Sequence, residues 1–547
     1  MSSHHTGAVD VIVIGAGHNG LVAANYLTDA GRKVLVVERG ATIGGFTASR
    51  RTIPGAPDHL AHPYSFDPFF WDSFPAATEL QLDRHGLQRV RVDPGLVYLD
   101  PDDASLAFYE SPVATADDIA RFSHKDARAY LEFADLLKAF SDVALSYFVT
   151  NPGRFDGRGL ARTARQAMRH RKQLGEVAAL ATGSVIEAIA ERFEHPVVRN
   201  ALHAAAGSTT PNSADGSGAG FLWLANQHRH SHQHLIGGIQ SLPDSLARRL
   251  TSLGGEVRTS APVEEIVLDG GRAAGVRLAG GETVHAAEAV VAACDPQTAL
   301  GRLLPRGTLD PVIERRVDNI PVSNSGYGQM KVDLAFSGKL SLARYEKQRN
   351  DDLDLRLPMH VLATEHGIDR AFARSKAGLL PYDDDWSMWN VIPTGNDPSQ
   401  APAGQDNFYC YLAVAPYAPE EPWDEPGADG TTLRERAGSS VVAKLAKFYD
   451  GVETLEIGRQ VLNNEDFERE VGASGGNITH VDMVLSRGGP RRPVRGLSGY
   501  EMPVPGLYLG GSGAHPSGGI TGAPGYMVAR EVLRRPVKDR VKARLSR

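Results

Sequence analysis

A short stretch near the start of the chain, residues 10–45, constrains the fold more than any other part of the sequence. The apolar run Val11–Ile14 is rich in β-branched residues, which indicates a buried parallel strand. Three glycines with the spacing G-x-G-x-x-G follow it, and the alanine-rich segment from about Asn19 to Asp29 predicts a helix. A second apolar run, Val34–Val37, ends in Glu38. This order of strand, glycine turn, helix, strand and acid is typical of a dinucleotide-binding unit.

Each glycine of the motif has a separate physical role. Gly15 permits the tight turn, Gly17 lets the backbone approach a pyrophosphate, and Gly20 lets the helix pack closely on the strand. The free N–H groups at the start of the helix favour phosphate charge. Glu38 follows the glycines by roughly 20 residues, where a carboxylate accepts the ribose hydroxyls of an adenosine. We therefore predict a dinucleotide site, and the acid argues against NADP, because it would repel the 2′-phosphate.

Composition limits the remaining possibilities. The chain has 547 residues and a net charge of −7, so nothing global points to nucleic acid as a partner. Its two cysteines, Cys294 and Cys410, cannot form a disulfide framework and lack metal-ligand spacing. No apolar run approaches the roughly 18 residues that cross a bilayer. The N-terminus lacks the apolar core of a signal peptide. We therefore expect a protein of the reducing cytoplasm.

The segment after Gly45 is irregular and dense in aromatic residues. Two alternatives remain for its rings, the wall of a substrate cavity or core packing under a loop. The rings are Tyr64, Phe66, Phe69, Phe70, Trp71 and Phe74. His59 and His62 lie in the same segment, and either imidazole is a candidate acid or base because it titrates near neutral pH. A structural hydrogen-bonding role is the alternative for each.

Residues 227–234 read QHRHSHQH and place histidines at every second position. On a strand, His228, His230, His232 and His234 would share one face. Zinc sites usually draw ligands from separate elements or use helical spacing, and no acid or cysteine is close in the sequence. We therefore expect a strand that borders a cavity and no metal.

Between these blocks the chain changes character. Residues 76–224 contain long helical patterns, such as 126–149 and 174–193, which predict a helical insertion. The basic stretch 161–172 is either a patch for a membrane surface or a solvated helix. We favour the solvated helix over peripheral membrane contact because the stretch lacks an aromatic and leucine face.

The rest of the chain returns twice to the pattern of a nucleotide-binding fold. A helix over 241–253 and a strand-rich stretch over 256–293 predict a helix, a β-meander and a return strand. Residues 321–489 predict a mixed sheet, with strands at 330–336 and 408–415, that forms one wall of a substrate cavity. The glycine turn 518–522 then opens a final helix.

Several of these motifs resemble known flavoproteins. The continuation E-R-x-x-x-x-G-G over Glu38–Gly45 resembles the extended motif of glutathione-reductase-like and amine-oxidase-like enzymes, which favours FAD over NAD. The blocks VIVIGAGHNGLVAANYL, GGIQSLPDSLARRLTSLGGEV and GLYLGGSGAHPSGGITGAPG together resemble the phytoene-desaturase-like FAD oxidoreductases, over nearly the whole chain. The resemblance implies FAD contacts at Gly15, Gly17, Asn19, Gly20, Glu38, Arg39, Gly44, Gly45, Val263, Gly511, Gly519, Ile520 and Thr521.

The resemblance also sets the expected fold. This fold is α/β, a two-dinucleotide-binding-domain flavoprotein with an inserted mixed-sheet and helical substrate domain. The FAD-binding domain is expected in three parts, 1–75, 225–320 and 490–547, and the substrate domain in two, 76–224 and 321–489. The dipole of the final helix would stabilise negative charge on the reduced flavin. His515 precedes that helix and is, with His62, a candidate catalytic group or else a structural hydrogen-bonding residue.

The expected activity is FAD-dependent removal of hydride from a C–H bond of a hydrophobic or aromatic small molecule, either an isoprenoid or a secondary metabolite. Two alternatives remain open. One is a polyene isomerase or saturase that needs the same site without net oxidation, and the other is a non-catalytic, lipid-binding escort protein. Oxygen or a quinone is favoured as electron acceptor, because the sequence holds one dinucleotide fingerprint. The sequence carries no signal for the oligomeric state.

Overall fold

The computed structural model describes residues 9–207, 221–230, 232–323 and 326–534. Within these residues the strands are β1 (Val9–Ile14), β2 (Val34–Val37), β3 (Arg89–Val92), β4 (Leu96–Leu99), β5 (Ser105–Phe108), β6 (His232–Leu235), β7 (Glu256–Arg258), β8 (Val263–Asp269), β9 (Arg272–Leu278), β10 (Thr283–Ala292), β11 (Tyr327–Phe336), β12 (Met359–Leu362), β13 (Met388–Val391), β14 (Asp406–Pro416), β15 (Glu456–Leu462) and β16 (Leu507–Leu509).

The helices of the same residues are α1 (His18–Asp29), α2 (Ala76–Glu79), α3 (Pro112–Ala120), α4 (His124–Phe148), α5 (Gly157–Arg169), α6 (Leu174–Thr182), α7 (Val185–Ala190), α8 (Pro196–Gly207), α9 (Phe221–Gln227), α10 (Ser241–Ser252), α11 (Pro311–Asp318), α12 (Ala343–Arg349), α13 (Glu365–Lys376), α14 (Pro393–Asn396), α15 (Leu433–Leu445), α16 (Val452–Leu455), α17 (Asn464–Val471) and α18 (Ala523–Val532). None of them is both long enough and apolar enough to cross a bilayer.

The first sheet is built from three remote parts of the chain. Its order is β7-β2-β1-β10-β9-β8, and β16 also pairs with β10. Strands β7, β2, β1, β10 and β16 run parallel, while β10, β9 and β8 form the antiparallel meander. Strand β1 lies between two neighbours, and Val11, Ile12 and Val13 are fully buried, which explains the apolar run of the sequence. The predicted α/β dinucleotide-binding fold is confirmed.

The second sheet has the order β15-β11-β14-β13-β12-β4-β5. Every residue of β11 and β14 is buried, so both faces of the sheet are covered. Along β14 the side chains alternate between two apolar clusters, as the period of a strand requires. Tyr409 and Tyr411 belong to one cluster, and Phe408, Cys410 and Leu412 belong to the other. The predicted mixed sheet is therefore present, and the alternation decides which of its residues face the functional site.

The strands of both sheets fall within the ranges predicted for the two domains. The domain boundaries themselves remain our proposal. A small third sheet pairs β3 with β6 and joins the two ranges.

The helical part of the chain differs from the prediction at one point. Residues 174–193 do not form one helix, since α6 ends at Thr182 and α7 begins at Val185. Gly183 is extended, and the side chain of Ser184 caps the second helix by accepting from the N–H of Glu187. The basic stretch falls mainly on α5, where Gly159 is the one buried residue. Our preference for a solvated helix there remains a prediction.

Candidate functional site

The glycine turn after β1 leaves an open helix end. Gly15 has φ +100°, a conformation that favours glycine, and Gly17 caps α1 without any side-chain hydrogen bond. A Cβ on Gly20 would lie 2.1 Å from the carbonyl oxygen of Gly15, so only glycine fits where the helix meets the turn. The first N–H groups of α1 are therefore available to an anion, as a diphosphate site requires.

Glu38 connects the two ends of this unit. Its Oε2 accepts a hydrogen bond of 2.8 Å from the N–H of Ala16, and its Oε1 accepts one of 2.8 Å from Gly40. Each carboxylate oxygen can accept more than one hydrogen bond, so capacity remains for ribose hydroxyls. The next residue, Arg39, donates to the carbonyl oxygen of Glu470 at 2.7 Å.

A cavity of about 870 Å³ begins at this turn. Ten of the thirteen residues predicted to contact FAD line it, namely Gly15, Gly17, Asn19, Glu38, Arg39, Gly44, Gly45, Val263, Gly519 and Ile520. The other three are Gly20, Gly511 and Thr521. A Cβ on Gly511 would lie 2.5 Å from the carbonyl oxygen of Ala293, and Oγ1 of Thr521 accepts from the N–H of Ala523 at 3.1 Å. These two residues thus support the backbone around the cavity.

Two histidines in the cavity wall have unpartnered nitrogens. His18, inside the glycine motif, and His480 are both lining residues, and Nε2 of His18 and Nδ1 of His480 have no hydrogen-bond partner among the described residues. Burial lowers the pKa of His18 to about 3 and that of His480 to about 4. Both rings are therefore neutral at pH 7. The sequence analysis missed them, although the position of His18 in the motif was a usable signal.

The cavity wall fits FAD. Glu38 and Val263 lie at the predicted adenosine end, the uncapped helix follows, and Gly519 and Ile520 lie just before α18. The unpartnered Oδ1 of Asn19 is a further buried polar atom in this wall. Buried polar atoms usually have partners, so such atoms at an open helix end indicate a polar ligand.

The two predicted catalytic histidines lie elsewhere. His62 is buried, and its Nε2 donates to Oε1 of Gln400 at 2.8 Å. His515 is buried too, and its Nε2 donates to the carbonyl oxygen of Tyr147 at 3.3 Å. Burial lowers the pKa of each ring to about 4. Neither ring is among the residues that line the cavity, so this geometry supports the structural alternative.

The far part of the cavity is aromatic. Phe69 stacks on Trp223 with a centroid distance of 4.3 Å, and Trp389 packs against Trp223 edge-on at 4.9 Å. Tyr409 and Tyr411 reach the same cavity from β14. Of the six predicted rings, Tyr64, Phe66 and Phe69 line the cavity, whereas Trp71 and Phe74 pack in apolar clusters. Both alternatives for these rings are therefore realised, each for different residues.

The alternating histidines are arranged differently from the prediction. Helix α9 continues to Gln227, so β6 begins only at His232 and the four rings do not share one face. His228 instead contacts the hydroxyl of Tyr130 at 2.7 Å. The interpretation that these histidines have no acid nearby is wrong, because Asp67 lies between His232 and His234. We call these three residues the Asp67 cluster.

All three side chains of the Asp67 cluster are 2% exposed. Oδ2 of Asp67 accepts from Nε2 of His232 at 2.8 Å and also from Nδ1 of His234. Burial acts to raise the pKa of Asp67, but the two histidines outweigh it and lower the pKa to about 2. Asp67 also lines the cavity. The sequence could not reveal this cluster, since its members are separated by 165 and 167 residues.

Comparison with known proteins places this site in a family. The sequence profile described as "Flavin containing amine oxidoreductase" matches residues 20–366. Pyridine nucleotide-disulfide oxidoreductase domain-containing protein 2 of Rattus norvegicus is 28% identical over 96% of this chain and 93% of its own. One polypeptide of the limonene dehydrogenase of Castellaniella defragrans is 25% identical over 96% and 94%. Bacterial phytoene and hydroxyneurosporene desaturases also match, at 25 or 26% identity.

A solved structure supports the fold. An oxidoreductase from Methanosarcina mazei superposes with a TM-score of 0.57 and 17% identity, over 96% of this chain and 100% of that one. At this identity the likeness concerns the fold alone.

Proposed function

Because the chain belongs to the family of flavin-containing amine oxidoreductases, we propose that it dehydrogenates a small hydrophobic or aromatic substrate at a C–H bond. The chain is a phytoene-desaturase-like, FAD-dependent oxidoreductase. The finer assignment, to desaturation of one class of substrate, is the proposal.

One observation carries it. A single cavity is lined both by the residues around the glycine turn and by Phe69, Trp223 and Trp389. A ligand held against the aromatic wall would therefore share one enclosed space with the cofactor, as direct transfer of hydride requires. The aromatic wall suits an apolar or aromatic molecule.

In this proposal the chain's own residues bind and orient the cofactor. The N-terminal end of α1 with Gly15, Gly17 and Asn19 holds the diphosphate, and Glu38 holds the ribose. Helix α18 begins at Ala523, close in sequence to Gly519 and Ile520, so its positive end stabilises negative charge near these residues. FAD, when bound, supplies the two-electron oxidant.

The volume favours a small substrate. Cavities of roughly 300–1,000 Å³ hold one drug-sized ligand, and this cavity of about 870 Å³ has to hold FAD as well as the substrate. The remaining space suits a compact terpenoid or aromatic molecule better than a full-length carotenoid. The limonene named for one relative is of the smaller kind.

Anaerobic titration of the FAD-loaded protein tests the proposal. Limonene, phytoene, cyclohexylamine and putrescine are added separately, and the absorption of oxidised flavin is recorded. Bleaching by limonene, with a dehydrogenated product, supports the proposal. Bleaching by phytoene alone contradicts the size argument, and bleaching by an amine alone replaces C–H desaturation with amine oxidation. Conversion of a polyene without bleaching favours the isomerase alternative.

A further inference from the structure

The Asp67 cluster is the one charged group among the aromatic residues described at the far part of the cavity that the proposed function has not used. Phe66, Phe69 and Tyr409 line the cavity near it, and the ring of Phe69 lies 5.7 Å from that of His232. A buried carboxylate is costly unless it is paired or has a task. The two histidines account for Oδ2, but Oδ1 of Asp67 has no hydrogen-bond partner among the described residues.

The distances identify the cluster as hydrogen-bonded. Two ligands of one tetrahedral zinc ion, each about 2.0 Å from the metal, lie about 3.3 Å apart. Nε2 of His232 is 2.8 Å from Oδ2 of Asp67, and Nδ1 of His234 is closer still, so both contacts are shorter than co-ligands of zinc allow. Both nitrogens meet an oxygen acceptor and therefore carry hydrogen. The arrangement is that of a carboxylate anion held by two N–H donors.

The cluster lies near the predicted flavin end of the cavity. A Cβ on Gly519 would be 3.3 Å from the ring of Phe70, and the centroid of Phe70 is 5.4 Å from that of Phe69. Phe69 in turn contacts both His232 and the indole of Trp223. A substrate against this aromatic wall would thus lie between Gly519 and the carboxylate.

We propose that Asp67 is the catalytic carboxylate of this enzyme, which stabilises positive charge on the substrate and then accepts its proton at Oδ1. The inference rests on the proposed function. Departure of hydride removes two electrons from one carbon and leaves it electron-deficient. The neighbouring C–H bond then breaks, its electron pair becomes the new π bond, and its proton passes to Oδ1. FAD takes up the two electrons, and dioxygen or a quinone later removes them.

The chemistry suits a carboxylate of low pKa. A group with a pKa near 2 remains anionic throughout the neutral range, so its charge is present whenever positive charge develops. A proton next to an electron-deficient carbon is very acidic, so a weak base suffices to accept it. His232 and His234 are positioning residues, because they hold Oδ2 and so orient Oδ1.

A pair of isosteric probes tests the charge without any turnover. Trimethylcyclohexylammonium and tert-butylcyclohexane have the same shape and differ in charge. Their binding to the FAD-loaded protein is measured by calorimetry. We expect the wild type to bind the cation about 10- to 100-fold more tightly. Asp67→Asn should lower this preference at least tenfold, although the aromatic rings retain some of it.

Asp72→Asn is the matched control. It removes the same charge five residues later, where Asp72 accepts from Arg89 at the surface and does not line the cavity. This variant should keep the wild-type preference. His232→Gln retains an N–H donor and should largely keep it, whereas His232→Leu should lose it.

The outcomes separate this inference from the proposed function. Equal binding of the two probes by the wild type overturns the inference, even if Asp67→Asn fails to fold. One equivalent of zinc in the wild type that Asp67→Asn lacks also overturns it, because a metal would occupy the carboxylate. If limonene bleaches the flavin, Asp67→Asn should slow the bleaching by about 10²- to 10⁴-fold with unchanged limonene affinity. An unchanged rate overturns the inference and leaves the proposed function intact.

Discussion

Oε2 of Glu38 accepts a hydrogen bond of 2.8 Å from the backbone N–H of Ala16. The acid at the end of β2 therefore fixes the glycine turn at the end of β1, in addition to its predicted role toward ribose. Its other oxygen holds the N–H of Gly40 at the same distance. One side chain thus shapes the phosphate turn and presents an acceptor for the adenosine.

Replacing this carboxylate should weaken FAD binding. Glu38→Gln keeps one acceptor oxygen and loses the charge, and hydrogen bonds to charged groups contribute about 1.5–3 kcal/mol. We expect the Kd for FAD, measured on protein stripped of flavin, to rise about 10- to 100-fold. Glu256→Gln, at an exposed position of β7, is the control and should leave the Kd unchanged. Equal affinity in both variants would remove Glu38 from the proposed site.

Gly20→Ala should prevent correct packing of α1. The added Cβ would meet the carbonyl oxygen of Gly15 at 2.1 Å, a backbone atom that cannot move aside. We expect a loss of at least about 3 kcal/mol in the free energy of unfolding, with little bound FAD. Gly175→Ala in α6, where nothing lies within 4 Å of the new Cβ, should be neutral or slightly stabilising. Thermal unfolding and flavin content provide the measurements.

The buried histidines predict loss of stability in acid. Burial lowers the pKa of His360 to about 4, so between pH 6.5 and 4 the unfolded chain binds a proton that the folded protein does not. The free energy of unfolding therefore falls as pH falls through this window, by about 1.4 kcal/mol per pH unit for this residue. His360→Gln should make the slope shallower in denaturant titrations at several pH values. His366→Gln, at an exposed site, should keep the wild-type slope.

The two tryptophans around β13 should separate substrate binding from stability. Trp389 lines the cavity, whereas Trp386 is packed in the cluster on the opposite face of the second sheet. Trp389→Phe should weaken binding of tert-butylcyclohexane about 2- to 10-fold. Trp386→Phe should lower the unfolding temperature and leave that affinity unchanged. A reversed pattern would mean that the aromatic wall is not the binding surface.

The reduced enzyme should pass its electrons to dioxygen or a quinone. The sequence holds one dinucleotide fingerprint, at Gly15–Gly20, which the proposal assigns to FAD. After anaerobic bleaching, addition of oxygen or of a short-chain quinone should restore the flavin absorption, and NAD⁺ should not. Rapid restoration by NAD⁺ would require a second nucleotide site.

Local signals made the β1–α1–β2 unit predictable. Its glycine spacing and β-branched runs act over a few residues, and α1 begins at His18, one residue before the predicted start. The break between α6 and α7 also has a local cause, Gly183 followed by the capping Ser184, which the apolar periodicity of 174–193 concealed.

The chemistry of the substrate end could not be predicted in the same way. Asp67 meets His232 and His234 only because the folded chain brings β6 and the segment after Gly45 together. His62 and His515 were reasonable candidates by residue type. Their burial away from the cavity depends on tertiary packing, which a single sequence does not encode in any short window.

The first sheet sets a limit on when the protein becomes an enzyme during its synthesis. Strand β1 is among the first segments to leave the ribosome, yet its neighbour β10 follows about halfway through translation, and β16 comes near the end. Gly519 and Ile520, at the proposed flavin end, emerge later still. Nascent chains therefore carry an incomplete cofactor cleft, and loading with FAD has to await nearly the whole polypeptide.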